Sequence, residues 1–127
     1  MEDDPDLAEL VEYLDEVLTD YARHVQNIGS LGVNAAMLMY YRDEVQETLE
    51  VLEGEPDFDT QPYWRKTVEL DNILKANQQE FVNEVGHANF KQYQIINDPP
   101  RERWWWFLNR ETMSPPPPPA FWQFWKK

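Results

Sequence analysis

The sequence predicts an all-α protein: an antiparallel bundle of three main helices, a short aromatic helix and a proline-rich aromatic tail. Three observations predict it. Apolar residues recur at intervals of three and four through the first hundred positions. Glycine and proline punctuate the chain at 29–32, 54–62 and 99–100. Beyond residue 100, tryptophan, phenylalanine and proline crowd together.

The first helix is expected over about 5–28. Leu7, Val11, Leu14, Leu18, Tyr21, Val25 and Ile28 form one stripe, widened by Leu10 and Val17, with Glu9, Glu12, Glu16 and Asp20 on the opposite side. Pro5 suits a first turn, the early acids suit the positive end of the helix dipole, and Gly29 and Gly32 end the element. A second helix follows over about 33–53, apolar nearly all round at VNAAMLMYY and amphipathic at RDEVQETLEVLE. The connector GEPDFDTQP is rich in turn formers.

The third helix is expected over 62–97, with Thr60 as cap and Pro62 in the first turn. Trp64, Val68, Leu74, Phe81, Val82, Val85, Tyr93 and Ile96 make its stripe. At ~1.5 Å per residue the three helices measure ~36, ~30 and ~54 Å, so the third overhangs its neighbours. Gly86 is the place for a kink, but the stripe resumes in phase at Tyr93 and Ile96, which favours continuation. Asp98-Pro99-Pro100 then reads as the start of a short helix over about 99–111, containing RERWWWFLNRE. The expected organisation is therefore an acidic bundle at 1–97, a Trp-rich helix at 98–113, and a polyproline spacer with an aromatic motif at 114–127.

Charge follows the same division. Residues 1–60 carry 17 acids and two bases, while residues 101–127 carry two acids and five bases, and the whole chain stands at −13. So negative a chain is not expected to bind nucleic acid directly, because phosphates repel it. The absence of cysteine excludes disulfides, thiolate nucleophiles and cysteine-ligated metals. The acidic opening MEDDPDLAEL lacks the features of an export signal, and no run approaches the ~20 apolar residues that span a bilayer. A cytoplasmic protein is the expectation, with peripheral membrane attachment as its variant.

Chemistry finds little footing. Glu84 and His87 have the Glu-x-x-His spacing of two-metal helical bundles, but only one copy exists. On the helical wheel Glu80, Glu84 and His87 fall away from the apolar stripe and are expected to face water. Asp20 and His24, four residues apart, can pair on the first helix. Ser30 and Ser114 have no triad context, and four glycines make no phosphate loop. A non-catalytic protein with no metal and no cofactor is expected.

The informative region is C-terminal. On an α-helix Trp104, Trp105, Trp106, Phe107 and Leu108 point all round, so Trp104, Leu108 and Phe107 are expected to pack while Trp105 and Trp106 meet something else. Pro115 to Pro119 form a stiff spacer of about 16 Å at ~3.1 Å per residue. Phe121, Trp122, Phe124 and Trp125 follow, closed by Lys126 and Lys127. Aromatic anchors behind a spacer are how a recognition motif is presented to a protein partner. These ten residues, Trp104 to Phe107 and those of the terminal motif, are the expected partner-binding set. An anionic membrane surface, meeting the same rings together with Arg101, Arg103 and Arg110, is the alternative. A homodimer is another way to cover the rings. A third reading has Glu9, Glu12, Glu16 and Asp20 imitating a phosphate backbone.

Overall fold

A computed structural model describes residues 6–109. Those residues are all-helical, with no strand among them. The elements are α1 (Leu7–Val25), a 3₁₀ turn (Gly32–Asn34), α2 (Met37–Leu52), α3 (Gln61–Ala76), α4 (Gln78–Val85), α5 (His87–Asn97) and a second 3₁₀ turn (Trp104–Phe107). The chain divides into two compact units, Met1–Gly86 and His87–Lys127.

In the first unit α1 begins where Asp6 Oδ1 accepts from the Glu9 N–H at 2.9 Å, satisfying an otherwise orphaned amide. Pro5, expected in that first turn, lies outside the described residues. The α1 stripe is borne out, with Leu14, Val17, Leu18, Tyr21 and Val25 buried. Helix α2 packs along α1, and α3 also packs on α1. Tyr13 meets Glu44, Tyr21 lies in one network with Arg42, and His24 meets Tyr41, so α1 and α2 run antiparallel. Tyr63 faces Asp15 and Asp71 faces Tyr21, so α3 runs parallel to α1. This is an up-down-up bundle.

Three boundaries differ from expectation. Helix α2 starts at Met37 rather than near 33, because residues 32–34 form a separate 3₁₀ turn after a left-handed Gly32. The expected 62–97 helix is three helices. Its first break is at Asn77 (φ −112°, ψ 26°) and its second at Gly86, whose φ of 95° no helix accommodates. The expected 99–111 helix is only a four-residue 3₁₀ turn, and Asp98 adopts φ 44° instead of capping it.

The break at Gly86 coincides with the division between the two compact units, so α5 belongs to the second. Thr60 makes no side-chain cap; Asp59 Oδ1 accepts from the Gln61 N–H instead. On α3 the buried positions are Thr67, Leu70, Asp71 and Leu74, whereas Val68 is 51% exposed. The stripe is therefore turned by about one residue from that read in the sequence.

Candidate functional site

The strongest concentration of polar chemistry in the first unit is buried. Arg42 on α2 lies in phase with Leu38, Val45, Leu49 and Leu52, and Asp71 on α3 lies in phase with Thr67 and Leu74. Each charge is carried into the core by its helix and must find a partner there. Arg42 Nε donates to Asp71 Oδ1 at 2.9 Å and Arg42 Nη2 to Oδ2 at 3.0 Å, a bidentate pair. Tyr21 from α1 donates its hydroxyl to the same Oδ1 at 2.6 Å. Arg42 Nη1 reaches Gln46 at 3.0 Å, and Gln46 donates onward to Glu50. Arg42 is 4% and Asp71 6% exposed. Burial first, and then the Asp71 carboxylate, push the Tyr21 phenol well above the usual tyrosine range. The cluster joins all three bundle helices, so its arrangement serves to fix which helices meet and in what register.

A second cluster ties α4 to the α1–α2 loop. Glu84 accepts three backbone N–H groups: Gly29 at 2.7 Å on Oε1, and Leu31 at 2.6 Å and Gly32 at 3.0 Å on Oε2. The expectation that Glu84 faces water is thus overturned, because the loop folds over it. Glu80 and His87 are exposed as expected. The carboxylate of the Glu-x-x-His pair is therefore already engaged by amides, and no group of three or more metal-ligating side chains occurs among the described residues.

On α1, Glu9, Glu12 and Glu16 are exposed and Asp20 is half-buried. Asp20 does not pair with His24 through its carboxylate. It pairs with Arg23 at 2.9 Å, while the His24 Nδ1–H donates to the Asp20 carbonyl at 2.9 Å. The nearer geometry belongs to Arg23, one turn on and longer than histidine.

The second unit holds four of the ten expected partner-binding residues within view. Gln94 on α5 is its hub: Nε2 donates to the Trp106 carbonyl and to Asn109 Oδ1, both at 2.8 Å. These bonds fold the tryptophan turn back beside α5, which packs on it. Trp105 and Trp106 are 2% and 1% exposed, and Leu108 is 2% exposed. Trp104 and Phe107 are half-buried, and the Trp104 and Trp105 rings meet edge to face at 5.5 Å.

The expected division is therefore reversed for the tryptophans. In a 3₁₀ turn, residues three apart eclipse, so Trp104 and Phe107 share one side and Trp105 and Trp106 take the other two. Helix α5 buries Phe90 but leaves Ile95 80% and Ile96 67% exposed, although Ile96 was placed on the core stripe. Phe121, Trp122, Phe124, Trp125, Lys126 and Lys127 lie outside the described residues.

No helix among the described residues is long and apolar enough to cross a membrane. Comparison with protein-family models, curated proteins and solved structures finds no significant match to this chain.

Proposed function

We propose that this protein is a non-catalytic, protein-binding adaptor, assembly factor or regulatory subunit that docks on a partner through its C-terminal aromatic segment. One observation carries the reading: four large aromatics within five residues, Phe121, Trp122, Phe124 and Trp125, stand behind five consecutive prolines. A run of prolines lacks backbone donors and favours an extended spacer, the kind of sequence that presents a short recognition motif. Tryptophan and phenylalanine supply the buried anchors of protein interfaces. Exposed Ile95 and Ile96, with half-buried Trp104 and Phe107, add apolar surface to the same C-terminal unit. Trp105 and Trp106 are buried, so the rings beside them carry the exposed part of the tryptophan turn.

A chain ending at Met113 is expected to keep the helical content and cooperative melting of the full protein while losing capture of its partner. If the shortened chain retains every partner, the reading fails. A second reading is favoured by Lys126 and Lys127 closing the motif, since tryptophan rings flanked by lysines suit an anionic bilayer surface. Tryptophan fluorescence with anionic vesicles separates the two. A blue shift that vanishes in the chain ending at Met113 identifies the bilayer as the receiver, and an unchanged spectrum leaves a protein groove.

A further inference from the structure

The three amides that hold Glu84 have the geometry of an anion-binding concavity. Leu31 is right-handed (φ −81°, ψ −29°) and Gly32 left-handed (φ 61°), the alternation that turns successive N–H groups to one point. Gly29, at φ 103°, brings in a third. Both backbone conformations favour glycine, and a β-carbon on Gly29 would also stand 2.5 Å from Glu80 Oε2. The loop is therefore shaped around a carboxylate, and the carboxylate comes from α4.

Helix α4 is only eight residues long, too short to be stable on its own helical propensity. It hangs between the two breaks at Asn77 and Gly86, each able to absorb a change of direction. Its buried side consists of Phe81, Val82 and Val85. A short helix with a break at either end, held by its buried apolar side and by a carboxylate that three loop amides grip, can open as a unit.

We propose that Glu84 is a latch: its carboxylate occupies an anion-binding cradle formed by Gly29, Leu31 and Gly32, and releasing it frees α4 to swing out and uncover Phe81, Val82 and Val85 while the α1–α2–α3 bundle stays folded. The cradle is a binding site for a small carboxylate, filled from within when α4 is closed. This inference is independent of the docking role of the C-terminal segment.

Hydrogen exchange on the full-length chain tests it, comparing wild type with Glu84→Ala and Glu84→Gln in sodium chloride and in sodium acetate of equal ionic strength. In Glu84→Ala the amides of α4 and of the 29–32 loop are expected to exchange at least about tenfold faster, as loss of charged hydrogen bonds implies. Those of α1 and α2 keep their wild-type rates. Acetate, entering the vacated cradle, slows the Gly29, Leu31 and Gly32 amides of Glu84→Ala and leaves wild type unchanged.

Glu84→Gln keeps the side-chain shape but puts an N–H₂ against the amides. It is expected to loosen α4 in the same local pattern, and it carries the test if the alanine variant does not fold. Exchange that rises equally across α1, α2 and α4, or not at all in α4, overturns the latch. Acetate acting no differently from chloride overturns the cradle.

Discussion

In the first unit the decisive bonds join residues far apart in the chain, Tyr21 to Asp71 across fifty positions and Arg42 to Asp71 across twenty-nine. In the second, Gln94 reaches only twelve and fifteen positions, to Trp106 and Asn109. The first unit places a charge pair in its core, whereas in the described residues of the second the neutral amide of Gln94 ties the buried tryptophan turn to α5. Long loops cost more entropy to close than short ones, though the cost grows slowly with length. What separates the units more sharply is the penalty for error. A buried arginine left without its carboxylate is costly, so the Arg42–Asp71 pair disfavours stackings of α2 on α3 that separate them. A hydrophobic cluster accepts several packings at similar energy. The bundle is accordingly the part of the molecule whose core is specified by charge, although both units leave apolar side chains exposed, Val33 and Val51 in the first and Ile95 and Ile96 in the second.

The comparison breaks most severely at Asp71. Asp71→Ala strands Arg42 in the core and is expected to cost about 3–5 kcal/mol, read as a lower midpoint in urea. The triple replacement Tyr21→Phe, Arg42→Met and Asp71→Leu is expected to recover most of that loss, because apolar residues need no pairing and no buried hydroxyl is left without its acceptor. Trp106→Ala is expected to cost as much as about 3–5 kcal/mol, the range for large aromatics. Hydrogen exchange should place that loss in α5 and the 104–107 turn and leave α1 protected. A loss spread evenly through α1 and α2 would show that the units do not open separately.

Smaller effects sharpen the contrast. Gln94→Ala leaves the Trp106 carbonyl without that donor and is expected to cost about 1–3 kcal/mol. Tyr21→Phe deletes one bond to a carboxylate that retains its arginine, and about 1 kcal/mol is expected.

Tyr21 also gives the bundle an alkaline signature. Its folded proton affinity is raised, so its contribution to stability is complete below the ordinary tyrosine pKa of ~10 and is lost as pH climbs above it. Tyr13, pushed up to about 12 chiefly by its hydrogen bond to Glu44, and Tyr63, raised first by burial, act in the same direction. Stability measured upward from pH ~9 should fall, and Tyr21→Phe should flatten the fall. At the far end of the scale, Ile95→Ser and Ile96→Ser are each expected to change stability by no more than ~0.5 kcal/mol, because both side chains are already in water.

The sequence made α1 legible to within two or three residues at each end, about 5–28 against Leu7–Val25 with Ile28 beyond the helix, since an amphipathic stripe at spacings of three and four is written in local order alone. It also contains the signal for the buried pair. Arg42 falls in the apolar stripe of α2 and Asp71 in that of α3, one opposite charge on each of two facing helices. Weighing only apolar residues hid both and set the α3 stripe on Val68 instead of Thr67. The candidate docking residues were legible as composition, but their placement was not: an α-helical wheel assigned Trp105 and Trp106 outward, and a 3₁₀ turn of four residues reversed the assignment.

By itself, then, the sequence determined the helical class, the course of α1 and α2, and the segregation of acid from aromatic. Periodicity, caps and charge are properties of neighbours in the chain. The tertiary structure decided where the long third helix breaks, which carboxylate meets amides and which meets arginine, and which tryptophans are covered. Each of those depends on groups from another element arriving within about 3 Å, the reach of a hydrogen bond, and local order does not encode that arrival.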